Sequence, residues 1–524
     1  MGSDTVASAQ AAVAYATALT GINKNGYNFV YTIRDGSTNV SGPSAGLAFS
    51  LLAVSAIRHQ NLYSNFTVTG TIDQYGNVGE VGGVYDKLQA AKSFGLKYAI
   101  VPKAATSDPE YLSYYITQQT FHLPIAQVSN VSQALNYINS TTVKPFTFNV
   151  TEDFNLNGLG APITCTNCNI TAFNTLTNFT FGYVQNETLH LPDNISAAQP
   201  NLLSNLNTFR SIAAKGYMYA GADLAFVQFS QEYPLAQANN LTLAAVGQAI
   251  NSTSAYCSSL SPPQLTSKNY EYVIGGEARQ GWALSSLADV RIVFNSTQTT
   301  DDLIDTYYLL ARSVAWCHAT SELYSIASTM GGNSVMFSQQ GKANALSTLN
   351  KLKGVGGIYA QSAQLAYNNS EYGAVFYDAP YAAPTSTLGY SNAQLVALTQ
   401  QNAANSTFGI WGSQFADSAL FTLYQASHRV NDTSNLTSAY DTSLLALNIS
   451  KSMQLVSNSF MPYNATVQIQ QQNMQITTLE SQLSSVYTML EVLIIIVIIL
   501  IILILYMVLL LHRVHQNTAR RKRR

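Results

Sequence analysis

Hydrophobic and polar positions divide the 524 residues into four regimes. Over the first 140 residues, short apolar runs alternate with longer amphipathic ones. An Ala-rich helix is predicted over 7–19, then a strand over 28–33. A turn-rich loop at 36–46 leads into a helix over 44–57, apolar at Leu47, Leu51, Leu52 and Ile57. Strands are predicted at 66–72, 98–101 and 125–128, a Gly-rich turn at 76–83, and helices at 85–94, 111–117 and 131–138. Strands and helices alternating at this spacing define a mixed α/β domain over 1–140. Residues 141–200 break the pattern. They are thick with Asn and Thr and read as an irregular or β-containing linker.

From 201 to 460 the period becomes helical. Ala- and Leu-rich stretches recur at 205–232, 241–260, 269–290, 300–330, 357–368, 392–402, 408–430 and 434–453. They predict a mainly α-helical domain, a hairpin bundle or a degenerate repeat array without strict period. Tyrosines such as Tyr307 and Tyr308 recur on these stretches, and at helical spacing they read as core rather than as a ligand surface. Ile469, Ile476, Leu483 and Leu490 then fall seven apart, with Gln472, Leu479 and Val486 between them. This heptad predicts a self-associating coiled-coil stalk over 465–490, against the alternative of a single amphipathic helix.

Val492–Leu511 is an uninterrupted apolar run, matching the ~20 residues that cross a bilayer. The tail over 512–524 carries Arg513, Arg520, Arg521, Lys522, Arg523 and Arg524. Positive residues stay on the cytoplasmic side, so the bulk of the chain is expected outside a cell membrane that it crosses once.

Composition narrows the picture. Only 10% of residues are charged and the net charge is −2, which gives no attraction to nucleic acid. A hydrophobic share of 47% excludes a disordered chain. Eighteen Asn-X-Ser/Thr sequons precede the apolar run, and Asn65, Asn130, Asn139, Asn169, Asn186, Asn240, Asn295, Asn405 and Asn464 are taken as glycosylation candidates. Such an exported chain needs a signal segment, yet Met1-Gly2-Ser3-Asp4 leads straight into a helix, so a missing N-terminal piece is expected. The cysteines are Cys165, Cys168, Cys257 and Cys317. Outside the cell they predict disulfides rather than zinc, because Cys165-Thr166-Asn167-Cys168 offers only two of four ligands. The preferred pairing is Cys165–Cys168 with Cys257–Cys317, one of three connectivities. No metal or cofactor is expected.

The chemistry gathers in Gly42-Pro43-Ser44-Ala45-Gly46 and Gly82-Gly83-Val84-Tyr85-Asp86-Lys87. A serine hydroxyl is a weak nucleophile until a base takes its proton. His59 and His122 sit in no motif. A lysine serves as base when burial lowers its pKa, and apolar residues surround Lys87 in sequence. Ser44 opens a helix, where the backbone N–H groups of Ser44 and Ala45 form an oxyanion site for acyl transfer. Thr69, on the strand between, is placed to hold the lysine amine.

These blocks, with Thr69-Gly70-Thr71-Ile72, Gly76–Ala91 and Tyr98–Pro102, resemble the proteolytic domain of Lon-type (S16) serine proteases. That family uses a Ser-Lys dyad 43 positions apart, the separation of Ser44 and Lys87. The resemblance covers about residues 5–140. It implies an α+β proteolytic domain, Ser44 as nucleophile, Lys87 as base, Thr69 as the lysine-orienting residue, protein or peptide substrates, and a homo-oligomer through protease domain and stalk. Ser41 stands where the family often has an acidic residue. No Gly-x4-Gly-Lys-Ser/Thr occurs in these residues, and Gly341-Lys342-Ala343 lacks the hydroxyl. The resemblance is therefore to an exported, membrane-anchored, ATP-independent relative of the type found in archaea. A catalytically weak Lon-like scaffold is the alternative.

Overall fold

The computed structural model describes residues 2–33, 41–62, 65–151, 153–166, 168–383, 389–429, 432–463 and 465–521. Residues 1–332 and 337–460 make one compact unit, and residues 333–336 and 461–524 another.

The first unit begins with α1 (Ser3–Thr20), closed by left-handed Gly21 (φ 72°), and α2 (Gly46–Ile57). Three parallel strands follow the order β1-β4-β5: β1 (Phe66–Val68), β4 (Tyr98–Pro102) and β5 (Ile125–Val128). Two further short strands, β2 (Thr71–Ile72) and β3 (Val78–Gly79), form an antiparallel pair. Helices α3 (Val84–Ser93) and α4 (Pro109–Phe121) supply the crossovers that parallel strands require, and α5 (Val131–Leu135) follows β5. The central strand β4 is buried along its whole length and alternates between two cores. Tyr98 and Ile100 pack with Leu47 and Leu51 of α2, and Ala99 and Val101 pack with Leu88 and Leu112.

The predicted strand at 66–72 divides into β1 and β2. Gly70 donates to the Ser44 carbonyl (2.9 Å) and accepts from Leu47 N (3.0 Å), so the chain turns out of the ladder there. A Cβ on Gly70 would stand 2.8 Å from Val78 Cγ1 and 3.1 Å from Leu47 Cβ. The strand expected over 28–33 does not form. The segment is extended but has no ladder partner among the described residues, and Val30 is 85% exposed. The linker reading of 141–200 also needs correcting, because α6 (Ile170–Leu189) occupies its middle and buries Phe173, Leu176, Phe181 and Val184.

The helical region continues through α7 (Gln199–Ala214), α8 (Met218–Ala236), α9 (Leu243–Ser259), α10 (Tyr270–Asn295) and α11 (Thr300–Thr329). Helices α12 (Gln339–Lys351), α13 (Ile358–Asn368), α14 (Tyr372–Ala382), α15 (Asn392–Ala404), α16 (Ile410–Ser427) and α17 (Thr433–Asn458) complete it. The single stretch expected over 205–232 is two helices, turned at Gly216 (φ 97°). Helices α12 and α14 were not anticipated. The tyrosines are largely core: Tyr272, Tyr307 and Tyr377 are all but fully buried. The helical region packs on the sheet domain directly, since Leu202, Leu235 and Ile304 share a core with Val84, Leu88 and Tyr111.

Cys257 of α9 is bonded to Cys317 of α11 (Cα–Cα 5.2 Å), and Cys165 to Cys168 (Cα–Cα 5.9 Å). Cys257 and Cys317 are fully buried, and their bond closes a loop with a sequence separation of 60. Replacing both by serine is expected to lower unfolding free energy by about 2–5 kcal/mol, read as a lower denaturant midpoint.

Of the sequon asparagines, Asn139, Asn169, Asn186, Asn240, Asn295 and Asn405 are exposed. Asn65 and Asn130 are half-buried; Asn130 caps α5 by accepting from Gln133 N (2.9 Å). Asn464 lies outside the described residues.

The second unit is dominated by α18 (Ala465–Arg521). The segment Asn473–Ile501 is long and apolar enough to cross a membrane. On the single chain the heptad residues Ile476, Leu479, Leu483 and Val486 are 52–63% exposed. No partner helix covers that seam among the described residues.

Candidate active site

Ser44 sits in the turn that starts α2, and three elements fix that turn. From α1, Thr5 Oγ1 donates to the Gly42 carbonyl (3.0 Å) and Ser8 Oγ to the Pro43 carbonyl (3.2 Å). From the β1–β2 bend, Gly70 N donates to the Ser44 carbonyl (2.9 Å). Gly42 takes φ 118°, which a residue with a side chain rarely adopts. The helix itself begins at Gly46, two residues later than its apolar pattern suggests, with Gly46 N bonded to the Pro43 carbonyl (3.1 Å). The N–H groups of Ser44 and Ala45, and the Ser44 hydroxyl, have no hydrogen-bond acceptor among the described residues. Two unspent donors at a helix N-terminus are what an oxyanion requires.

Lys87 lies in the first turn of α3, after left-handed Gly83 (φ 67°). Its Nζ donates to the Gly82 carbonyl at 2.7 Å. Among the described residues no hydrogen bond joins the Lys87 amine to the Ser44 hydroxyl; the amine meets the carbonyl that the Gly83 turn presents to it. Thr69 also departs from expectation. Its hydroxyl donates to the Ser44 carbonyl (3.4 Å), so it braces the serine turn rather than the lysine. That follows from Thr69 standing at the bend, one residue before the Gly70–Ser44 contact.

Lys87 opens onto a cleft of about 1070 Å³ whose walls include Glu80, Asp108, Glu110, Ser113 and Asp301 but not Ser44. Burial pushes the Lys87 amine below its ordinary range, and the Asp301 charge opposes that shift. Asp301 is the functional residue that sequence reasoning missed. It begins α11, more than 200 positions beyond Lys87. Its Oδ2 accepts from Tyr85 N (2.9 Å), and its Oδ1 accepts from Ser113 Oγ. Beside it, Asp86 of α3 accepts from Thr300 N (3.1 Å) and Thr300 Oγ1 (2.7 Å). Each helix start thus holds the other by a carboxylate. A capping box, Thr299 with Asp302, was a readable signal for where α11 starts, but not for what it docks on.

Asp301→Asn removes a negative charge from Lys87 while keeping an acceptor for Tyr85. The lysine should then lose its proton more readily. The acid limb of the peptidase pH–rate profile is expected to move down by up to about one pH unit, with the folded state retained.

The site thus consists of a serine on a helix-opening turn and a half-enclosed lysine on the next helix, on a domain with a parallel sheet. Residues 3–138 match the Lon protease (S16) C-terminal proteolytic domain. Among similar proteins, a Lon protease of Neorickettsia sennetsu is 32% identical over 124 residues, 24% of this chain and 15% of that one. The archaeal Lon protease of Methanocaldococcus jannaschii is 39% identical over 71 residues, 14% of this chain and 11% of that one. The chain spans less than a fifth of the length of these relatives.

Proposed function

We propose that the chain is an ATP-independent serine endopeptidase, anchored in a cell membrane and acting outside it on unfolded or flexible protein segments. The observation that carries this reading is the serine turn: a hydroxyl beside two N–H groups, none with an acceptor among the described residues, braced from α1 and from the β1–β2 bend. In the reaction, Ser44 Oγ attacks the peptide carbonyl as Lys87 Nζ takes its proton. The N–H groups of Ser44 and Ala45 receive the oxyanion. Lys87 returns the proton to the leaving amine, and water then resolves the acyl-enzyme. For this, the Lys87 side chain must leave the Gly82 carbonyl and swing toward Ser44. Catalytic hydrogen bonds commonly tighten only with substrate bound.

Several features support the setting. These 524 residues hold no P-loop. The apolar run, the basic tail and the sequons support a location of the bulk outside. The exposed heptad of α18 offers a seam for self-association. The second reading, a Lon-like scaffold without catalysis, is favoured by one observation, the Lys87–Gly82 bond.

The test is cleavage of unfolded casein by the full chain in detergent, with and without ATP, alongside labelling by a fluorophosphonate probe. Cleavage that ATP does not change, with the label on Ser44, is expected. Absence of both cleavage and label at every pH at which the chain stays folded would establish the scaffold instead.

A further inference from the structure

The helical region holds a cavity of about 350 Å³, whose walls include neither Ser44, Lys87 nor Asp301. The chain has three tryptophans, and Trp282, Trp316 and Trp411 all line this one space. They come from α10, α11 and α16. Trp282 Nε1 donates to Asp378 Oδ1 (2.7 Å) and Trp411 Nε1 to the Glu271 carbonyl (2.8 Å), so both indoles are held by their polar edges.

Two guanidinium groups share the cavity. Arg279 is 7% exposed, with its Cζ 4.1 Å from the Trp411 ring centroid and 5.4 Å from that of Trp282. Its hydrogen bonds run from Nη1 alone, to the Gly275 carbonyl (2.9 Å) and the Tyr377 hydroxyl (3.5 Å). Its other N–H groups make none among the described residues. Arg312 lies 5.3 Å over the Trp316 ring and keeps accessible surface. One carboxyl, Asp223 of α8, faces them; it keeps accessible surface, and Tyr219 and both arginines favour its charged form. The cavity therefore holds two cations and one carboxyl.

A guanidinium out of bulk water with most of its fork unspent is costly unless something anionic meets it. The fork matches a carboxylate in two parallel hydrogen bonds. Indole faces beside it match a flat apolar ring. The volume is that of a small-ligand pocket. We propose that this cavity binds a small organic carboxylate with an aromatic body, the carboxylate on Arg279 and Arg312 and the ring among the tryptophans. Both a free aromatic acid and the last residue of a peptide carry that chemistry.

Every tryptophan in the protein reports on the site, so intrinsic fluorescence is a direct readout. Titrating the full chain in detergent with N-acetylphenylalanine should give a saturable change. The corresponding amide, which lacks the charge, should bind about tenfold or more weakly. Arg312→Gln should weaken the acid by a similar factor, and Asp223→Asn should tighten it, with circular dichroism unchanged. A tripeptide ending in phenylalanine tells the sources apart: saturation by the tripeptide as well points to peptide ends, and saturation by N-acetylphenylalanine alone to a free acid. Absence of a saturable response to either, an equal response to acid and amide, or an Asp223→Asn variant that weakens the acid would overturn the proposal.

Discussion

Ser44→Ala is expected to abolish peptide hydrolysis, with kcat falling by about three to six orders of magnitude, and Lys87→Met by nearly as much. Members of one nucleophile–base unit fail together, so the double variant should be hardly worse than either single one. The Ser44 methyl replacement leaves the turn intact, because the turn is held by the Gly42, Pro43 and Ser44 carbonyls and not by the hydroxyl. Unchanged thermal melting would therefore separate lost chemistry from lost fold. Lys87 is the more informative position. Among the described residues its amine bonds to the Gly82 carbonyl alone, so its loss costs little structure. Equal casein cleavage by wild type and both variants would remove the dyad from the mechanism.

Raising the pH from about 4.5 to about 8 is expected to destabilise the first unit markedly. The cause is a set of carboxyls buried in the helical region. Burial raises Glu232 from 4.5 to about 8 and Asp378 from 3.8 to about 8. Glu271 and Asp417 move to about 7. A group whose folded pKa lies above its unfolded one binds its proton more tightly when folded. Its stabilisation is complete below the unfolded value and is lost as pH rises through the folded one. For Glu232 alone this amounts to about 5 kcal/mol as an upper bound, since the helices open to admit water before the full cost is met. Glu232 is fully buried; its Oε1 accepts from Thr188 Oγ1 (2.8 Å), while Oε2 has no partner among the described residues. Melting temperature followed across this pH range should fall, and Glu232→Gln should flatten the fall. A flat or rising melting temperature in the wild type would contradict the account. Burial of the Lys87 amine favours its neutral, reactive form as pH rises, so stability and the proposed catalysis are set against each other along the pH axis.

Much of the sheet domain was legible because its signals are local. The alternation of Tyr98 to Val101 marks a buried strand, and the helix around Lys87 follows from Gly83 and the apolar spacing of Val84, Leu88 and Ala91. The break at Gly70 was not legible, since it depends on the Ser44 carbonyl, a contact across 26 positions. Helix α6 was hidden by composition. Asn174, Asn178, Asn186, Thr171 and Thr175 face solvent, while Phe173, Leu176, Phe181 and Val184 carry the period underneath. At the site, Ser44 and Lys87 stood out as residue types in small-residue loops. Asp301 did not, because its role comes from a docking surface that only the tertiary fold assembles. The same holds for Arg279: one arginine on an apolar helix gives no hint that Trp411, 132 positions away, lies against it.

Helix α11 runs for 30 residues and contains neither proline nor glycine. Those are the usual causes of a kink, and at about 1.5 Å per residue its axis is about 45 Å long. Its first turn carries Asp301, bonded to the backbone of the lysine helix. Arg312 and Trp316, in the cavity wall, come three to four turns later. The two places are marks on one ruler, about 16 Å apart along its axis. Neither can be displaced lengthwise without carrying the other.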